Sequence, residues 1–137
     1  MVALLAIHDL FREGKDGYFI AANFGWFDPR YETFRKQFLK ETKRKGIKFY
    51  HLFSHEVKEK AGERIKEVPN NTYKFLPKKY CTNSAIDIFG DYVVTYNGIT
   101  FSNIDENVTI FVLRDQCLAE SYRTWFRMIW DLLPESK

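Results

Sequence analysis

The stretch Thr82 to Asn97, T-N-S-A-I-D-I-F-G-D-Y-V-V-T-Y-N, constrains the fold more than any other part of the chain. Ala85, Ile86, Ile88 and Phe89 lead into Gly90-Asp91, and a second β-rich run follows from Tyr92 to Tyr96. Two such runs joined by a glycine-containing pair read as a tight β-hairpin. Mid-chain and mostly apolar, the hairpin is expected at the centre of a sheet.

The residues before it alternate strand and helix signals. In residues 2–13, Leu4, Leu5, Ile7 and Phe11 fall near one helical side, which reads as a short docking helix ended by Gly14 and Gly17. Tyr18 to Phe24 reads as a strand. Asp28 and Pro29 then form an N-cap and first-turn pair for a helix that places Tyr31, Phe34, Phe38 and Leu39 on one face and closes at Gly46. Ile47 to Phe53 is the next strand, with Ile47, Phe49, His51 and Phe53 on one side. Strand, helix, strand in this order predicts a parallel pair with a right-handed crossover. His55 to Val68 is highly charged, with only Val57, Ala61 and Ile65 to hold it, and reads as a marginal surface helix or mobile lid. Thr72 to Leu76 is a short strand stopped by Pro77. After the hairpin, Asn97 to Glu106 reads as an irregular connection and Asn107 to Leu113 as a strand.

From Asp115 to about Leu133 the helical period is unambiguous: Leu118, Ala119, Tyr122, Trp125, Phe126, Ile129, Trp130 and Leu133 recur at three-four spacing. So wide an aromatic stripe requires cover, from the sheet or from another subunit. With 137 residues, 45% of them hydrophobic and 18% aromatic, the chain is read as one domain, 1–137, with ample material for a core. Cys81 and Cys117 are too few and unpatterned for a disulfide framework or a zinc site, which favours a reduced, cytoplasmic setting. The apolar run Val2 to Ile7 is broken by His8 and Asp9, so it reads as neither signal peptide nor membrane span.

Inside the hairpin, Ser84-x-Ile86-x-x-x-x-Asp91 keeps the spacing of the H-x-K-x-x-x-x-D motif that a similar hairpin carries in the phospholipase D superfamily. Around it stand Gly17 to Phe24, the basic stretch K-R-K-G-I-K-F-Y, F-L-P-K-K-Y ahead of S-A-I-D-I-F-G-D, and the ending A-E-S-Y-R-T-W-F-R-M-I-W. In this order, from about Ala3 to Leu133, they resemble the phospholipase D-like C-terminal domains of TrmB-type transcriptional regulators of archaea and bacteria. The resemblance implies an α/β phospholipase D-like half-fold, with a central mixed sheet flanked by helices. It also implies an effector-sensing and dimerisation role without catalysis. Serine and isoleucine stand where the nucleophilic histidine and the phosphate-holding lysine would be, so a phosphodiesterase or nuclease-like activity is disfavoured. Catalytic members of the superfamily assemble a site from two copies of the motif, and one copy here implies a homodimer. Contact with DNA would come through an attached winged helix-turn-helix. None fits before Gly17, which suits either an excised domain or a free-standing relative.

Three constellations remain. Arg35, Lys36, Lys40, Lys43, Arg44, Lys45 and Lys48 could form a phosphate-backbone footprint, making 28–45 a nucleic-acid-binding helix. They also suit the solvated back of an amphipathic helix whose C-terminal dipole attracts cations, and this reading is preferred. Among the histidines, His51 and His55 have i, i+4 spacing, but a strand between them removes the helical geometry of a metal pair; no metal and no cofactor is expected. His51 or His55 beside Ser84 is the pair to inspect for nucleophilic chemistry. Ligands of α/β sheets collect at the carboxyl ends of strands, which selects Asn23, Phe24, Trp26, Ser54, His55 and Ser84. Aromatic walls with a few neutral polar groups suit a small polar effector such as a sugar.

Overall fold

The computed structural model describes residues 16–135. The expected helix of residues 2–13 lies outside that range. Six strands form one mixed sheet: β1 (Gly17–Ala22), β2 (Phe49–Phe53), β3 (Asn71–Phe75), β4 (Ser84–Phe89), β5 (Tyr92–Thr100) and β6 (Asn103–Arg114). Their spatial order is β3-β2-β1-β4-β5-β6. β1, β2 and β3 run parallel, β1 meets β4 antiparallel, and β4 to β6 form an antiparallel meander. The sheet therefore has a parallel half and an antiparallel half, joined along β1 and β4.

Helices α1 (Glu32–Lys45), α2 (His55–Lys60) and α3 (Gln116–Leu132) flank it. Before α1 a 3-10 turn, Pro29–Tyr31, begins at Asp28, whose side chain accepts from Arg30 N, and Gly46 ends the helix in the left-handed region at φ 68°. α1 lays Phe38 against Phe19, Phe49, Phe89 and Val94 on one face of the sheet. On the opposite face α3 packs Ala119 and Tyr122 over Ile88, Val93, Tyr18 and Ile20. The period of two along each strand divides these two sets, so Ala85, Asp87 and Phe89 turn toward α1 while Ile86 and Ile88 turn toward α3. The C-terminal end of α3 is closed by Lys74, only 4% exposed, whose Nζ donates to Trp130 O at 2.8 Å and Leu133 O at 3.0 Å. A cation beneath the last carbonyls complements the helix dipole.

The hairpin of β4 and β5 forms in the expected place, with Gly90 at φ 53° as the first residue of its turn. Three elements differ from expectation. β1 ends at Ala22, leaving Asn23 and Phe24 to the loop. The segment from Asn97 to Glu106 is not an irregular connection, because β5 continues to Thr100 and turns directly into β6 at Phe101 and Ser102. Gly98, at φ 107°, makes a bulge where the register slips between Asn97 and Ile99, and the slip hides the strand's alternation. The charged segment after β2 is held inward by Val57, Ala61 and Ile65, all buried, through α2 and a 3-10 stretch Gly62–Glu67. These three pack with Phe24, Phe27 and Phe53, so the segment has a core of its own.

The stripe of α3 is wider than the sheet covers. Ala119 and Phe126 are buried, but Trp125 is 49% exposed, and Met128 and Leu132 are exposed beside it. At the sheet edge, Phe111, Val112 and Leu113 of β6 are also exposed.

Candidate functional site

Between the sheet and the α1 side lies a cavity of about 80 Å³, lined by residues from β1, β2, β4, β5, α1 and the loop after β1. Its walls are mostly aromatic. Phe19, His51 and Phe53 form a row of stacked rings at 4.3 and 4.4 Å, and Trp26 stacks on Phe38 at 5.5 Å. The loop reaches the cavity because the chain bends sharply at the end of β1. Ala21 and Phe24 both take left-handed φ, 61° and 58°, and the pairing of β1 with β2 slips between Ile20 and Ala22. Phe24 is thereby stacked on Phe27 at 4.3 Å, inside the fold. The hairpin of β5 and β6 holds the loop from the other side. Ser102 N donates to Asn23 O at 3.1 Å, and Ile104 N donates to Asp28 Oδ2 at 2.9 Å.

Four polar side chains stand in this apolar wall. Asn23 Nδ2 donates weakly to Glu56 Oε1 at 3.4 Å, while its Oδ1 is buried without a partner among the described residues. Asp87 is 3% exposed, and burial raises its carboxyl to about 7. The Tyr96 hydroxyl, facing this carboxyl, draws that value partly back, and among the described residues neither Asp87 Oδ2 nor Tyr96 Oη has another partner. Burial, and then the neighbouring Asp87 carboxylate, push the Tyr96 phenol well up. His51 Nδ1 donates to Asn71 Oδ1 at 2.6 Å, and full burial lowers the imidazole to about 4 against the opposing pull of that bond. At neutral pH the histidine is uncharged, and Asp87 lies near its midpoint.

The six residues selected at the strand ends divide into two groups. Asn23, Phe24 and Trp26 line the cavity. Ser54, His55 and Ser84 do not. Ser54 is buried where β2 ends, its N–H donating to Ala22 O and its Oγ lying 3.8 Å from Cys81 Sγ. His55 pairs with Glu59 at 3.0 Å on α2. Ser84 is exposed and donates to Asn97 Oδ1 at 3.4 Å, at the mouth of an open apolar groove of about 610 Å³ that also takes in Ile86, Ile129 and Leu132. His51 and Ser84 are thus not brought together: one is enclosed with Asn71 and the other faces outward with Asn97. Asp87 and Tyr96 were not selected from the sequence. Their signal was present, since Asp87 occupies the buried phase of Ala85-x-Asp87-x-Phe89, where a carboxylate requires an explanation.

Within the basic segment, Arg35 is buried with its guanidinium 4.6 Å from the centroid of the Phe27 ring. Lys36 pairs with Glu32, and Arg44 and Lys45 pair with Glu41. Much of this charge is therefore neutralised along the helix itself.

No family model and no curated relative matches the sequence. Among solved structures, the fold is similar to that of TrmBL2, an archaeal chromatin protein described as showing a novel mode of DNA binding, with a TM-score of 0.57 at 14% identity. The match covers 96% of this chain and 50% of that one, so the chain spans half the length of its structural neighbour, and what the two share is the mixed sheet flanked by helices.

Proposed function

We propose that the chain is a non-catalytic regulatory domain of a TrmB-type transcriptional regulator, cytoplasmic, which senses a small polar effector and pairs with a second copy of itself. The observation that carries this reading is the likeness of fold to half of TrmBL2 over nearly the whole chain. The hairpin supports it from the chemical side. In the phospholipase D frame, Ser84 lies exposed and Ile86 packs toward α3, so neither a base nor a cation stands where phosphate would be held. The effector would occupy the cavity against Asn23, Phe24 and Trp26, with Ser54, His55 and Ser84 outside direct contact. A volume of about 80 Å³ admits a molecule smaller than a hexose. DNA would be reached through an attached winged helix. Among the described residues no helix is long and apolar enough to cross a membrane.

Pairing is the part most directly tested. The groove bounded by Ser84, Ile86, Ile129 and Leu132 lies one helical turn from the exposed side chains of Trp125 and Met128, and an apolar surface of this kind supports pairing between copies. Sedimentation equilibrium is expected to give twice the 16.3 kDa chain mass at micromolar concentration. Leu132→Glu, at a position 79% exposed, should return the monomer without loss of fold. A concentration-independent monomer mass for the wild type would refute the pairing.

A further inference from the structure

The cavity has a chemical bias that its size alone does not reveal. Asn23 Oδ1 and an ionised Asp87 Oδ2 can only accept hydrogen bonds, and the Tyr96 hydroxyl can do so as well. Among the described residues Asn23 Oδ1 has no partner, the Asp87 carboxyl and Tyr96 hydroxyl have only each other, short of full hydrogen-bond geometry, and no lysine or arginine lines the cavity. The remaining wall is apolar and largely aromatic, including Phe19, Phe24, Trp26, Phe38, Phe49 and Phe53. An occupant that completes this wall must bring several donors and no acceptors, must tolerate aromatic rings, and gains by being positively charged. Anions are repelled by Asp87. Calcium and magnesium require about six oxygens, more than this wall supplies. A neutral alcohol offers one donor for three acceptors.

We propose that the cavity is a binding site for a small organic cation of about the size of methylammonium, with Asp87 as its counter-charge and Asn23 and Tyr96 as further acceptors. The ammonium group would donate to Asp87, Asn23 and Tyr96 while its methyl group contacts the rings, an environment that attracts cations electrostatically. An engineered apolar cavity of about 150 Å³ holds benzene, and about half that volume suits an occupant of a few heavy atoms. The site deepens the effector reading and rests on it for its regulatory meaning, but its chemistry stands on the cavity alone.

The test is a titration of the full chain with methylammonium chloride against sodium chloride at matched ionic strength, followed by NMR shifts of backbone and side chains. Saturable shifts are expected at Phe19, Asn23, Asp87 and Tyr96. The limit on free energy per atom for very small ligands places Kd in the millimolar range. Affinity should rise from about pH 6 to about pH 8 as Asp87 ionises, with His51 and Tyr96 the other titratable groups on the same wall. Asp87→Asn should weaken binding at least about tenfold, Tyr96→Phe should weaken it less, and Ser84→Ala should bind as the wild type does. Methanol, neutral and of similar size, should not saturate. Failure to saturate with methylammonium, unchanged affinity in both Asp87→Asn and Tyr96→Phe, or equal binding of methanol would overturn the site. A saturable methylammonium site in a chain that sediments as a monomer would keep the cation site and remove the paired-regulator reading. A dimer that binds no methylammonium would do the reverse.

Discussion

Asp87→Asn raises the stability of the folded chain by about 2–4 kcal/mol at pH ~8 and changes it little near pH ~4. The carboxyl titrates near 7 in the fold against 3.8 in its ordinary state, because burial disfavours its charged form. Below about pH 4 the group is protonated in both folded and unfolded chains and contributes no difference. As pH rises from there to about 7, the unfolded chain releases the proton first and stability falls. Above about 7 the full penalty is present, and asparagine removes it while keeping the shape. His51 has the opposite sign. Its imidazole is lowered to about 4 from 6.5, so stability is lost as pH falls through that interval, by about 3 kcal/mol in all. In the wild type the two slopes oppose one another between about pH 4 and pH 6.5, and the contribution of this pair is nearly flat. Asp87→Asn exposes the acid-side loss due to His51, and His51→Gln exposes the alkaline-side loss due to Asp87. Chemical denaturation across the pH range measures both. Superimposable pH profiles for the wild type and Asp87→Asn would show that the carboxyl is not buried as described.

Asp28→Ala is the second large effect, a destabilisation of about 3 kcal/mol. Asp28 is 2% exposed and ties together two distant parts of the chain. It accepts from Arg30 N at 3.0 Å, from the Arg30 guanidinium at 2.6 Å, and from Ile104 N at 2.9 Å, while Arg30 donates onward to the carbonyl of Ile104. Alanine leaves the buried Ile104 N–H unpaired, removes the cap of the turn into α1 and frees the tip of the β5–β6 hairpin. The Arg30 guanidinium holds this carboxyl well below the usual range. Its stabilisation is therefore present above the ordinary carboxylate value and is lost as pH falls through the folded one. Asp28→Asn, whose single amide oxygen can accept from Arg30 N or from Ile104 N but not from both, and which lacks the charge, should lose less than alanine does. Urea midpoints at neutral pH measure the difference, and a change below about 1 kcal/mol for Asp28→Ala would mean that the hairpin tip is held by other contacts.

The parts of this fold that were legible from sequence are those in which a single period runs undisturbed. α3 was legible because its apolar residues keep helical spacing for its whole length, and the β4–β5 hairpin because Gly90 separates two clean runs. The first half of β6 was not. Gly98 shifts the alternation by one residue, and Asp105 and Glu106, on the solvent side, look like loop residues until the register with β5 is known. The site shows a similar division. Proximity to strand ends selected Asn23, Phe24 and Trp26, but the same rule cannot state which face of the sheet a residue serves, so Ser54, His55 and Ser84 were grouped with them. Asp87 lies between apolar neighbours in a hairpin whose pattern is set by its hydrophobic residues. The packing of α1 against that face is what makes one carboxylate exceptional.

The junction of β1 with β4 has a kinetic consequence. β4, β5 and β6 are neighbours in sequence and can pair as soon as two short turns form. Pairing β1 with β4 closes a loop that holds α1, β2, α2 and β3, at an entropic cost that nearby pairing does not incur. The junction is therefore expected late in folding, and the cavity spans it, with Phe19 and His51 on one side and Asp87 and Tyr96 on the other. No occupant can find the cavity before the junction has closed. Whatever binds there lengthens the lifetime of the folded chain and leaves the rate at which it folds unchanged, so its effect lies entirely in the unfolding arm of the kinetics.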